Sequence, residues 1–195
     1  RDDLPQDPDP QGSRVPPVQR QPADHGSVER LRRFVLTLTL PRQIFDALID
    51  HARAAAPHEC CGLLAGKDGL VTHYYPIKNI VANQGAGVAE LFDTAKIASL
   101  ERLSPEERAD IAFWMDARDM FAAQKDMRAK GTVMLASYHS HPVSPARPSP
   151  TDIKALAFYP DIAHFILSLE NAAQPVVNAF RIADDTATPV PYQIA

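Results

Sequence analysis

From Phe34 to Leu40 the chain reads F-V-L-T-L-T-L, an alternation rich in β-branched residues that predicts a strand. Pro41 suits a first helical position. Ile44, Phe45, Leu48, Ile49 and Ala52 then recur at helical spacing, so an amphipathic helix is expected up to about Ala56, before Pro57. Its apolar face should pack on a sheet. His58 to Gly66 reads as a second strand, and Lys67-Asp68-Gly69 is turn chemistry leading into a third, from Leu70 to about Ile77, which makes a hairpin.

Past Asn79 the pattern weakens: Asn83 to Gly87 is loop, and residues 88–100 carry only an ambiguous helical character. Ser104-Pro105-Glu106-Glu107 is a helix start, with a capping Ser, Pro at the first position and Glu at the third. A second helix starts at Asp116 to Asp119, carries Met120, Phe121 and Met127 on one side, and stops at Gly131. Trp114, between the two, is assigned to core packing. Thr132 to Tyr138 is a strand that runs directly into His139, and Pro150 to Phe158 is a helix ending before Pro160. Phe165–Leu169, Val176–Ile182 and Pro189–Ile194 close the chain as three strands. The elements together predict an α/β domain, a mixed sheet flanked by helices.

Composition refines this picture at the N-terminus. Residues 1–33 hold Pro5, Pro8, Pro10, Pro16, Pro17 and Pro22 among Asp, Gln and Arg, with little to bury, so a disordered tail is expected there and the folded domain over 34–195. The net charge of -4 and the scattered basic residues exclude nucleic acid as the main partner. No apolar run approaches the roughly 18 residues of a membrane span, and no secretory apolar stretch is seen, so a soluble protein is expected. The two cysteines, Cys60 and Cys61, are neighbours, which suits neither a disulfide framework nor a C-x-x-C knuckle and fits the cytoplasm.

The chemistry concentrates between Ser137 and Lys154, S-Y-H-S-H-P-V-S-P-A-R-P-S-P-T-D-I-K. Residues i and i+2 of a strand share a face, so His139 and His141 present two imidazoles side by side. Zn²⁺ held by imidazoles needs a third ligand, and Asp152, brought back by the Pro142–Pro148 turn, is the best candidate. Ser149 and Asp152 equally read as the N-cap and first-turn acid of a helix, and both readings can hold together. Three protein ligands leave a fourth position for water, whose pKa one Zn²⁺ lowers to about 7, so the site would be hydrolytic. Such a site also wants a carboxylate proton shuttle. Glu59, between the Pro57 turn and an apolar strand, is the candidate, although a Glu beside a turn is more often solvated surface. His25, His51, His58, His73 and His164 have no partner at ligand spacing and read as surface or core histidines, and the cysteines as packing.

Pro57-His58-Glu59-Cys60-Cys61-Gly62-Leu63-Leu64-Ala65-Gly66, then His139-Ser140-His141-Pro142, six residues, and Ser149-Pro150-Thr151-Asp152, resemble the JAMM (MPN+) metalloprotease motif. The resemblance implies a JAMM/MPN fold of cytidine-deaminase-like architecture over roughly 34–195, and one zinc ion on His139, His141 and Asp152. It also implies Glu59 as general acid/base and Ser149 as a donor to the oxyanion. The Glu-Cys-Cys-Gly-Leu-Leu run is most similar to stand-alone prokaryotic members, which implies cleavage after the tail of a ubiquitin-like or sulfur-carrier protein. Against the compact members, residues 85–112 look inserted, which bears on substrate access more than on chemistry.

Four other readings fit less well. A non-catalytic MPN-type scaffold would lack part of the ligand set, and here none is missing. An amidohydrolase barrel needs about 250 residues in successive βα units. A zinc deaminase needs H-x-E with P-C-x-x-C, and the RadC relatives share the His-x-His-Pro stretch but not the Glu-Cys-Cys-Gly-Leu-Leu run.

Overall fold

The computed structural model describes residues 37–81 and 102–195. The expected tail, the Phe34–Leu36 start of the first strand and residues 82–101 lie outside them.

Strand β1 (Leu38–Leu40) leads through Pro41 into α1 (Arg42–Ala55), and a hairpin of β2 (Cys61–Lys67) and β3 (Leu70–Ile77) follows. Two helices, α2 (Pro105–Ala109) and α3 (Ala117–Ala129), precede β4 (Val133–His141), and α4 (Pro150–Leu156) precedes β5 (Ala163–Ser168), β6 (Val176–Ala183), β7 (Thr186–Pro189) and β8 (Tyr192–Ile194). The strands form one mixed sheet in the order β7-β6-β5-β4-β2-β3-β1-β8. Beyond β7 the Val190 amide donates to Ala179 O at 2.8 Å and the Tyr192 hydroxyl to Val177 O at 2.9 Å, while β8 pairs with β1. The closing segment thus ties the two ends of the sheet together and curls it.

Local chemistry accounts for most boundaries. Asp68 and Gly69 take positive φ in the β2–β3 turn, as Asp184 and Asp185 do between β6 and β7. Gly131, at φ 65, follows α3 as the stop signal predicted. Ser104 caps α2 through a full capping box with Glu107. Pro41 sits at the N-cap of α1, one place earlier than its expected first-turn position, and its carbonyl accepts from the Ile44 and Phe45 amides.

Four elements differ from the sequence reading. β2 begins at Cys61, because His58 to Cys60 only lead into the ladder. β4 continues through His141, since its pairing with β5 runs to His141 opposite Ser168. The last expected strand, Pro189–Ile194, is shortened to β8, and an unexpected strand, β7, precedes it at the opposite end of the sheet. Phe121 is 65% exposed, whereas Ala123 and Met127 are buried, because it lies about 100° round the helix from Met120.

The main core fills the face covered by α1, where Leu40, Leu48, Leu64 and Phe165 are fully buried. Full burial of each is worth roughly 1.5–3 kcal/mol. Tyr138 is the largest buried side chain there. It lies across Gly62 in the adjacent strand, stacks on Tyr74 at 5.7 Å and hydrogen-bonds His51 Nδ1 at 2.9 Å. A Cβ at Gly62 would run into the Tyr138 ring edge and hydroxyl and the Tyr75 carbonyl. Gly62→Ala is therefore expected to cost about 1–3 kcal/mol, read as a lower urea midpoint. An unchanged midpoint would mean that the ring has somewhere else to go.

The opposite face carries α3, whose Ala123 and Met127 pack on Leu63, Ala65 and Ile77. Met134 also packs on this side, and beyond the irregularity of the β2–β4 ladder at Leu64/Ala65 the odd-numbered β4 residues from Ser137 point here.

Candidate metal centre

The last residues of β4 and the first turn of α4 meet on the α3 side of the sheet. His139 and His141 share that face, with Nε2 atoms 3.1 Å apart. Asp152 Oδ1 lies 3.6 Å from His139 Nε2 and Oδ2 lies 3.4 Å from His141 Nε2. All three residues are buried. Tetrahedral bonds of about 2.0–2.1 Å put ligand atoms about 3.3–3.4 Å apart, so separations of this size suit donors around one zinc ion, although the two imidazoles approach different oxygens of Asp152.

The electrostatics suit a cation as well. His141 Nδ1 donates to the Pro145 carbonyl at 2.9 Å, which turns Nε2 toward the cluster. Burial works against charge on Asp152, but the attraction of His139 and hydrogen bonds with His139, His141 and Ser149 outweigh it and hold the carboxyl well below the usual range. Two imidazole nitrogens and a carboxylate thus face one another away from water. His139 has no hydrogen-bond partner at its buried Nδ1 among the described residues, and its ring stacks on Phe113, 4.6 Å between centroids.

The Pro142–Pro148 turn is fastened from below. Ser168 Oγ donates to Ser144 O at 2.6 Å, and the Asn178 amide to Ala146 O at 2.9 Å. At its end Ser149 caps α4: its hydroxyl accepts from Asp152 N at 3.1 Å, and Asp152 Oδ2 accepts from Ser149 N at 2.7 Å. The cap and the cluster therefore share Asp152, while Ser149 lines the same cleft.

Glu59 arrives from the other side. Cys61 pairs with His139, and Ser140 extends the ladder by one place, its amide donating to Cys60 O at 3.0 Å and its Oγ accepting from Cys60 N at 2.8 Å. Glu59 directly precedes Cys60 at this end of the ladder. Its side chain is buried at 7% exposure and lines a cleft of about 830 Å³ together with His141, Ser149 and Asp152. The structure thus brings four of the five candidates to one cleft, with His139 behind them in the cluster it forms with His141 and Asp152.

The remaining histidines and cysteines behave otherwise. His51 serves the Tyr138 cluster, His58 pairs with Asp110 at 2.6 Å, and His73 contacts Thr72 and Tyr75. His25 lies outside the described residues. His164 stands behind the site: it accepts from the Ser137 hydroxyl at 2.8 Å and donates to Tyr159 O at 3.2 Å, and burial pushes its pKa down to about 4, so it is neutral. Cys60 belongs to the main core, where burial pushes its thiol up to about 11, and the Cys61 thiol, raised further by burial, donates to Ile77 O. Both are packing groups.

The sequence held no sign of the cleft wall. Ala112, Phe113 and Trp114 form it, with Ile111 at the rim, and Trp114 packs on Val81, Ala109 and Ala112 while facing the cleft. No Lys or Arg lines the cleft among the described residues.

The chain is similar to the CysO-cysteine peptidase of Mycobacterium tuberculosis, with 25% identity over 162 residues that cover 82% of this chain and 92% of that protein. It is also similar to a Thermus thermophilus protein described as a probable TtuB-protein conjugate cleaving protease, with 29% identity over 119 residues, 61% of this chain and 63% of that one. A Desulfitobacterium hafniense protein solved in solution superimposes with a TM-score of 0.61 at 34% identity, over 82% of this chain and 93% of that one. The sequence profile for prokaryotic homologs of the JAB domain matches residues 41–183, a span that holds every candidate from Glu59 to Asp152, and the chain belongs to that family, Prok-JAB.

Proposed function

We propose that the chain is a zinc-dependent peptidase that hydrolyses a peptide or isopeptide bond after the C-terminal tail of a ubiquitin-like or sulfur-carrier protein. The observation that carries this reading is the contact of His139, His141 and Asp152 at the edge of a cleft that Glu59 and Ser149 also line. The relatives named as a CysO-cysteine peptidase and a conjugate cleaving protease support the substrate class.

His139 Nε2, His141 Nε2 and one Asp152 oxygen would hold the ion. When bound, Zn²⁺ supplies a Lewis acid and makes a water nucleophile available at neutral pH. The Glu59 carboxylate takes the proton of the attacking water and returns it to the nitrogen of the leaving amine. Ser149 Oγ already accepts the Asp152 amide, so its own proton is available to donate to the developing oxyanion. The Pro145 carbonyl keeps His141 in the tautomer that offers Nε2. The apolar wall of Phe113 and Trp114 suits an extended tail with its backbone lying beside Glu59.

The complete donor set speaks against a non-catalytic scaffold. The test is to incubate the purified protein with ubiquitin-like and sulfur-carrier proteins extended at their C-terminal Gly-Gly by a short peptide, and to weigh the products. Release of the extension with a carrier ending in Gly-Gly is expected. Failure to cut any extended carrier would sink the substrate class, and protein purified without tightly held zinc would favour the scaffold.

A further inference from the structure

Asn79 follows β3 and lies half-buried where the Glu59 segment meets the cleft wall. Its amide nitrogen donates to Glu59 O at 2.9 Å and to Ala112 O at 3.1 Å. Its amide oxygen accepts from Val81 N at 3.1 Å and from Trp114 N at 3.0 Å. A carboxamide offers two donors and two acceptor sites, and every one is used here. The orientation is fixed by the same bonds, since a flipped amide would set its NH₂ against two N–H groups and its oxygen against two carbonyls.

Alternatives fail for stated reasons. Asp keeps both acceptors but presents oxygen to the Glu59 and Ala112 carbonyls. Ser or Ala cannot reach four backbone groups, and Gln displaces the amide by a methylene. The rest of the junction depends on the same spacing: Glu59 N donates to Ala109 O at 2.7 Å, Ile80 N to Trp114 O at 2.8 Å, and His58 pairs with Asp110. The wall that Asn79 holds also carries Phe113, stacked on His139.

We propose that Asn79 is a positioning residue which, through its four backbone hydrogen bonds, sets the spacing between the segment carrying Glu59 and the cleft wall carrying Phe113 and Trp114. It touches neither substrate nor ion. It ties the place of the proton-transfer carboxylate to the wall against which the substrate tail lies, through separate bonds to each side. The assignment rests on the peptidase reading of the site, in which Glu59 moves the proton.

The test uses Asn79→Ala and Asn79→Asp, with a carrier protein extended at its Gly-Gly as substrate and turnover expressed per zinc-loaded protein. Trp114 is the only tryptophan in the chain, so its emission reports the wall directly. Asn79→Ala frees both sides: kcat is expected to fall on the order of 100-fold, KM to rise, and Trp114 emission to shift. Asn79→Asp keeps the bonds to Val81 N and Trp114 N and loses those to Glu59 O and Ala112 O. Its Trp114 emission and KM should stay near wild type while kcat still falls. A merely structural role would instead lower activity in both variants only in proportion to the folded, zinc-loaded fraction, with kcat per loaded protein unchanged, and that result overturns the proposal. So does Asn79→Ala with wild-type emission and kcat. If Glu59→Gln in the same assay turns over like wild type, the peptidase reading itself falls and the role of Asn79 with it. A dead Glu59→Gln beside a fully active Asn79→Asp overturns only the role of Asn79.

Discussion

Replacing Glu59 by Gln is expected to reduce cleavage of an extended carrier by roughly 10²–10⁴-fold, the range for loss of a general acid/base, while fold and zinc content stay as in the wild type. The expectation rests on separable roles within one residue. The backbone of Glu59 is held at its N–H by Ala109 O and at its carbonyl by Asn79, bonds that a side-chain amide leaves in place. The side chain, 7% exposed and lining the cleft, is nearly isosteric with Gln, so no cavity opens and no new volume enters. What changes is the chemistry: an amide cannot take the proton of the attacking water or deliver one to the leaving amine. Because His139, His141 and Asp152 form the donor cluster without Glu59, zinc measured by atomic absorption should remain at one ion per chain. Cleavage at the wild-type rate would remove Glu59 from the mechanism. Loss of zinc in the variant would instead count Glu59 among the groups that hold the ion.

The site was legible in the sequence because its parts are local. His139 and His141 are two apart on a strand, and two is the strand period, so their common face follows from the backbone alone. Ser149 and Asp152 are three apart at a helix start, where a capping box brings side chain and backbone together whatever the rest of the fold does. Glu59 was harder, and came from the run of residues around it; its arrival at the same cleft as His141 depends on the β2–β4 pairing, which no local pattern contains. Asn79 was illegible. Two of its partners, Ala112 and Trp114, lie more than thirty residues along the chain, and all four are backbone groups, which leave no mark on residue identity. The separation of β7 from β8 was hidden for a related reason: the expected strand began at Pro189, and only the curl of the sheet places Thr186–Pro189 and Tyr192–Ile194 at opposite ends. Periodicity thus predicted which elements exist and which residues share a face, while long-range pairing decided where they meet.

Asp152→Asn should separate the two roles that the sequence left joined in this residue. As a helix cap, Asp152 accepts the Ser149 amide at 2.7 Å, and the carbonyl oxygen of an Asn can accept the same bond. As a zinc ligand it contributes an anionic oxygen beside both imidazoles, 3.6 Å from His139 Nε2 and 3.4 Å from His141 Nε2. An Asn that keeps the capping bond turns its NH₂ toward His139, placing a donor where an ion needs an acceptor and removing the one negative charge of the donor cluster. Metal affinity is therefore expected to fall by at least about 100-fold, beyond the 10–100-fold typical of losing a supporting partner, and cleavage should fall with it. In the presence of a chelator, Asp152→Asn should cost no more than about 1 kcal/mol, since the cap survives. Ser149→Ala makes the opposite cut: it loses the hydroxyl that accepts Asp152 N and about 1 kcal/mol of helix stability, yet keeps every donor atom of the cluster. Zinc competition against a chromophoric chelator, together with melting temperature with and without zinc, reads both. Wild type and Ser149→Ala should gain stability as zinc is added, because an ion that binds only the folded chain favours it, and Asp152→Asn should gain almost none. If Asp152→Asn binds zinc as tightly as wild type, Asp152 is a cap alone, and the third protein donor must be sought elsewhere in the cleft.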